Sequence, residues 1–198
     1  MREVLHDSPL LTCLFAGSIE HLMREIFTSA SRPMAGFGGF HELEPIGEQQ
    51  WTMGLAGRFE QDGCTIDSDA LTRIIEVGEG HPRSTMLVAQ QTHVAAVEEG
   101  VHAIDLVLAE RGFRSAMLAE QTRHVDLVDR IRTLGAAALR VSRRLAAGET
   151  PYGGTEAKSV KRALDALALA GIASRRGRGD WYISDPLLAR YIREALLV

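Results

Sequence analysis

The string "GHPR" at residues 80–83 puts a guanidinium directly after a proline that suits the first turn of a helix. A planar guanidinium there fits a phosphate through two parallel hydrogen bonds, and it serves equally as a solvated first-turn residue. Ser18 closes the apolar run "LTCLFAGS" (11–18). A hydroxyl at the carboxyl end of a buried strand can orient a water or a phosphate oxygen. At the same place it can cap the helix that opens with "IEHLMREIF". A second group is basic. Thr155, Lys158, Ser159, Lys161 and Arg162 fall on one helical stretch, and Arg175, Arg176 and Arg178 crowd a glycine turn soon after it. Such a group neutralises an anionic partner such as the DNA backbone, or it solvates a surface. The seven histidines show no H-x-x-x-H spacing and the two cysteines no C-x-x-C spacing, so no metal centre is legible.

These residues need elements to hold them. "LLTCLFA" (10–16) is short, apolar and bounded by turn residues, which predicts a buried strand with Cys13 as a small core hydrophobe. Ile19, Leu22, Met23, Ile26 and Phe27 then recur with helical spacing, and "SASRPMAGFGG" (29–39) is a breaker-rich loop. "FHELEPI" (40–46) alternates as a strand does, and residues 2–6 fit the end of a helix. From there the pattern is helical: 48–61 with Trp51, Leu55 and Phe59; a helix capped by Asp67 with Leu71, Ile74, Ile75 and Gly78; a restart at Pro82; and a long stretch over about 101–132 that includes "AIDLVLAE". His81 reads as a local turn residue. The end of the chain reads as an amphipathic helix (134–148), a helix over 155–172 with Thr155 as N-cap, Gly171 as C-cap and Val160, Leu164, Leu167 and Leu169 inward, a hairpin, and a last helix opened by Asp185-Pro186.

Composition is that of a globular chain: 198 residues, 45% hydrophobic and 24% charged. Apolar runs are too short to span a bilayer, the first residues carry no h-region, and two distant cysteines point to reduced thiols, so a cytoplasmic protein without a membrane partner is expected. Charge is uneven. Residues 1–133 carry 11 Arg against 20 Asp+Glu, whereas residues 134–198 carry 11 Lys+Arg against 6, a body of −9 and a tail of +5. That asymmetry predicts separate domains, the second with an affinity for anions.

Four stretches in order, "LTCLFAGSIEHLM", "FHELEPIGEQQW", "EGHPRSTMLVAQ" and "VKRALDALALAGIASRRGRGDWYISDPLLARYIR", resemble the C-terminal part of an AAA+-type P-loop ATPase of the archaeal-ATPase-like group, related to the origin-recognition initiators. The resemblance implies a mainly α fold with small β: the end of an α/β nucleotide-binding core (1–46), a helical lid (47–133) and a winged helix-turn-helix (134–198). It implies that Ser18 ends the sensor-1 strand beside the γ-phosphate, that Pro82 lies near the adenine, and that Arg83 is the sensor-2 arginine. Arg32 is then a candidate arginine finger toward a neighbouring subunit, against the plainer reading of a solvated loop arginine. The helix over 155–172 becomes the recognition helix and the Arg175–Arg178 turn the wing, with DNA as partner.

One feature departs from the family. A P-loop needs G-x-x-x-x-G-K-[ST], and the only lysines are Lys158 and Lys161, on the wrong module. No Asp-Glu pair follows a strand in the place that holds Mg²⁺. ATP with Mg²⁺ is therefore expected to be held mostly by residues outside this chain, which does not hydrolyse ATP alone. A chain that carries only the end of such a core is expected to expose apolar surface and to associate, with itself or with a client protein. The alternatives are a stand-alone winged-helix transcriptional regulator and a protein-interaction adaptor.

Overall fold

A computed structural model describes residues 12–17, 20–39, 46–153, 156–177 and 179–196. The fold is mainly helical. In chain order the elements are α1 (Glu20–Thr28), α2 (Glu48–Gln61), β1 (Thr65–Ile66), α3 (Ser68–Gly78), α4 (Pro82–Glu99), β2 (Ala103–Ile104), α5 (Leu106–Ala119), α6 (Gln121–Thr133), α7 (Ala136–Ala146), α8 (Ala157–Leu169), β3 (Ala173–Gly177), β4 (Asp180–Ile183) and α9 (Pro186–Leu196).

Two cores organise the chain. The first gathers Trp51, Leu55 and Phe59 of α2, Ile74 and Val77 of α3, Val88 and Ala96 of α4, and Leu108 and Phe113 of α5. Trp51, Leu55 and Phe59 recur every four positions and Ile74 and Val77 at three, Val88 and Ala96 lie about two turns apart, and each helix turns one apolar stripe inward. The second core gathers Val128 and Ile131 of α6, Val141 and Leu145 of α7, Val160, Leu164 and Leu167 of α8, Ile172 and Ile183 at the hairpin, and Leu188 and Ile192 of α9. Helix α9 serves both: Leu187 packs into the first core and its neighbour Leu188 into the second. Burying one such leucine is worth about 1.5–3 kcal/mol, so α9 ties the two bodies together at its first turn.

The first body also carries a minimal parallel pair. Thr65 pairs with Ala103 and Ile66 with Ile104, which fixes the approaches to α3 and α5 side by side. Asp105 then caps α5 by accepting from the Leu108 amide at 3.0 Å. Helices α4 and α5 approach closely because Gly112 faces Thr92. A Cβ on Gly112 would stand 2.6 Å from the Thr92 Cα, which no side chain tolerates without a backbone shift.

Several expectations change. Residues 12–17 form no strand and are exposed, with Leu14 at 94% and Cys13 in solvent. A strand buried on both faces needs flanking strands, and among the described residues none pairs with it. Ala103 and Ile104 are strand rather than helix, and the long stretch beyond them breaks at Glu120 into α5 and α6. Leu169 is 62% exposed instead of inward, because at about 3.6 residues per turn it falls on the far side of α8 from Val160 and Leu167. Asp67 occupies the N-cap position of α3 with no side-chain bond, and the N-cap position of α8 falls at Glu156. The helix at 2–6 and the strand at 40–45 lie outside the described residues, as do Ser18, Thr155 and Arg178.

Candidate functional site

Arg83, Ser84, Glu120, Arg123, His124 and Asp185 meet where the two bodies join. The local sequence puts each there. His81 is the N-cap of α4: its Nδ1 accepts from the Ser84 amide at 3.3 Å, and Pro82 fills the first position, where a missing N–H costs nothing. Asp185 caps α9, its Oδ1 accepting from the Leu187 amide at 3.0 Å and the Leu188 amide at 3.4 Å. Glu120 sits at the break between α5 and α6, and Arg123 and His124 follow on the same face of α6.

The Arg83 guanidinium donates to both oxygens of Glu120, Nη1 to Oε2 and Nη2 to Oε1, each at 2.8 Å. Arg123 donates to Asp185 Oδ2 from Nη1 at 2.8 Å and Nη2 at 2.9 Å. The same Arg123 Nη1 lies 3.3 Å from Glu120 Oε2. Ser84 Oγ donates to Asp185 Oδ1 at 3.1 Å. The carboxylates are buried and the guanidiniums half-buried. The Arg83 hydrogen bond holds the Glu120 carboxyl below the usual carboxylate range, and the same bond raises Arg83. His124 is fully buried against the Tyr191 ring, 5.2 Å between centroids, with neither ring nitrogen hydrogen-bonded. Burial lowers its pKa, with the Asp185 charge opposing; burial does the same at His81.

Glu120, His124 and Asp185 each offer a ligand atom within 4.8 Å of the others. The donor set does not fit a cation. All four carboxylate oxygens already accept from a guanidinium, a hydroxyl or a backbone amide, and the two arginines balance the two carboxylates. The positive ends of α4 and α9 face the same joint, and Asp185 caps the second of them, so no carboxylate charge is left for a metal to neutralise.

A groove of about 310 Å³ lies between α2, α3 and the turn that leads into α4, and none of the joint's side chains lines it. Ile46, Glu48, Trp51, Thr72, Ile75, Glu76, Glu79 and Gly80 line it, and the Trp51 indole donates to the Gly80 carbonyl at 2.9 Å.

The other expected residues lie apart. Arg32 is held by Glu25 of α1, with Nε donating at 3.1 Å. Lys158, Lys161 and Arg162 are exposed on α8 and Ser159 is half-buried. On the hairpin, the Arg175 guanidinium lies over Trp181 at 5.9 Å and that of Arg176 over Tyr182 at 4.3 Å. Sequence reasoning singled out Arg83 and missed its partners. The i, i+3 and i+4 spacing of Glu120, Arg123 and His124 marks one helix face; nothing in the sequence connects that face to Asp185.

No family model and no curated protein matches the chain. A solved structure does: the Walker-type ATPase PABY2304 of Pyrococcus abyssi, with a TM-score of 0.73 and 16% identity. The two share a fold. The alignment covers 97% of this chain and 57% of that one, so this chain spans little more than half the length of the ATPase. At that identity the match speaks for the fold alone. Among the described residues no helix is long and apolar enough to cross a membrane.

Proposed function

We propose that this chain is the nucleotide-sensing lid and the DNA-contacting winged-helix module of an AAA+-type ATPase related to the origin-recognition initiators. The observation that carries the reading is a half-exposed Arg83 three positions past Gly80, which lines a nucleoside-sized groove, in a fold shared with a Walker-type ATPase. The groove suits the neutral half of a nucleotide. Ile46, Trp51 and Ile75 offer an apolar edge, and the carboxylates of Glu48, Glu76 and Glu79 accept from ribose hydroxyls or a base amino group. Those same carboxylates repel phosphates, which Arg83 alone among these residues is equipped to receive, with Pro82 toward the base. Mg²⁺ finds no open carboxylate at the joint and is left in this reading, with most of the phosphate cradle, to residues outside this chain; Ser18, which lies outside the described residues, keeps the sensor-1 role.

The second body supports the DNA role through its order of elements, two helices, an antiparallel hairpin and a closing helix, and through its charge. Lys158, Lys161 and Arg162 occupy the first turns of α8, whereas Asp165 and Leu169 are exposed further on. Contact to phosphates is therefore confined to the start of α8 and to the hairpin arginines. Arg32 stands in this reading as the finger toward a neighbouring subunit, in competition with Glu25.

Calorimetric titration of adenosine and of ATP into the purified chain tests the nucleotide reading. Both are expected to bind, ATP more tightly by about 1–2 kcal/mol, the value of one half-exposed charge-assisted contact. No binding of either at millimolar concentration overturns it.

A further inference from the structure

Arg123 has two acceptors within reach. Its Nη1 is 2.8 Å from Asp185 Oδ2 and 3.3 Å from Glu120 Oε2. What keeps it on Asp185 is that Glu120 is already satisfied: both Glu120 oxygens accept from Arg83. Arg83 in turn comes within 3.9 Å of Asp185 Oδ2. The two buried carboxylates thus share two half-exposed guanidiniums, and the arrangement has a second solution. With Arg83 gone, Glu120 is a buried carboxylate left with only the 3.3 Å approach of Arg123, which is costly. The nearest cation is Arg123, and a small movement gives Glu120 a full partner at the expense of Asp185. Asp185 holds the first turn of α9 through the Leu187 and Leu188 amides, and that turn bridges the two cores.

We propose that Arg83, Glu120, Arg123 and Asp185 form an ion-pair relay, in which an anion that draws Arg83 off Glu120 pulls Arg123 toward Glu120 and loosens the start of α9. The identity of that anion as a nucleotide phosphate rests on the reading above; the relay among the four side chains does not. Its consequence is regulatory. Occupancy at the start of α4 changes how firmly the second body is held to the first, through the differential contacts of one arginine. His124 lies beside both carboxylates with no hydrogen bond of its own.

Amide hydrogen exchange at Leu187 and Leu188 reads the relay directly, with Val88 and Ala96 in the first core as controls. In Arg83→Ala the two α9 amides are expected to exchange about tenfold faster or more, with the controls unchanged. The double variant Arg83→Ala with Glu120→Gln removes the orphan charge, leaves Arg123 on Asp185, and is expected to return both amides to within about threefold of the parent. A relay is excluded if Arg83→Ala leaves the α9 amides as they were, or if the double variant exchanges as fast as the single one. Where Arg83→Ala also accelerates the controls, Arg83→Gln, which keeps a donor and loses the charge, is judged by the same two criteria. Inorganic pyrophosphate added to the parent protein is expected to speed the same two amides. Pyrophosphate that binds without moving them overturns the relay as a sensor, whereas pyrophosphate that fails to bind overturns the phosphate reading of Arg83 and leaves the variants to decide the relay.

Discussion

Arg83 at the start of α4 and Glu120 at the α5–α6 break, 37 positions apart in the chain, meet through two hydrogen bonds of 2.8 Å. The pair is lopsided, because Arg83 is 48% exposed and Glu120 10%. An arginine that loses its partner here can turn to water; a carboxylate cannot.

Stability should follow that asymmetry. Glu120→Ala leaves Arg83 to solvate and is expected to cost about 1 kcal/mol. Asp185→Ala removes an N-cap, the acceptor of the buried Ser84 hydroxyl and the partner of Arg123 at once, with an expected cost of about 2–4 kcal/mol. Urea unfolding of the two variants ranks them, and a larger loss at Glu120 than at Asp185 contradicts the assignment.

The joint should also be acid-sensitive, with a definite sign. Burial lowers the His124 and His81 pKa values below their ordinary 6.5, so the unfolded chain takes up protons that the folded chain resists. Stability is then lost as pH falls through 6.5, by up to about 1.4 kcal/mol per pH unit for each histidine. Glu120 acts lower down: its pKa lies below the ordinary 4.5, and its contribution fades as pH drops through that range. His124→Phe keeps a flat ring against Tyr191 and removes a proton site, so its unfolding free energy should fall less between pH 7 and pH 5 than that of the parent. Parallel pH profiles would sink the assignment to His124.

Close approach of α4 and α5 depends on Gly112. Gly112→Ala pushes a methyl into the Thr92 backbone and is expected to destabilise by about 1–3 kcal/mol, the usual cost of overpacking. Thermal unfolding measures it. An unchanged Tm would mean that the two helices can separate freely at this crossing.

Much of this was legible in the sequence. Trp51, Leu55 and Phe59 are buried along one face of a helix with the bounds that their spacing implies, Pro82 opens α4, and Asp185-Pro186 opens α9 as cap and first residue. Periodicity failed where elements were too short to have a period. The β1–β2 pair is two residues per strand, and Ala103-Ile104 looked like part of the helix that follows. It failed too for residues 12–17, whose apolar character promised burial that requires neighbours on both sides. The charged joint was illegible for a different reason. Ser84 and Asp185 are 101 positions apart, and it is the packing of α9 into both cores that brings Asp185 to Ser84 and α6.

The proposed contact with DNA makes a prediction in salt. Each phosphate neutralised contributes a slope of about −0.9 in log affinity against log salt. Arg176→Ala is expected to reduce the magnitude of the slope by about that amount. Tyr182→Leu removes the ring that carries the Arg176 guanidinium at 4.3 Å but keeps the charge. It should weaken binding to duplex DNA while leaving the slope unchanged. Duplex binding with no salt dependence, or no binding at low salt, would remove DNA as the partner of this surface.

The most direct test of the central claim is the effect of Arg83→Ala on two ligands in parallel. If Arg83 receives the phosphates while the adjoining groove takes the nucleoside, the variant loses about tenfold in ATP affinity and binds adenosine as the parent does. Equal losses for both ligands, or no change for ATP, would contradict a nucleotide-sensing role for Arg83.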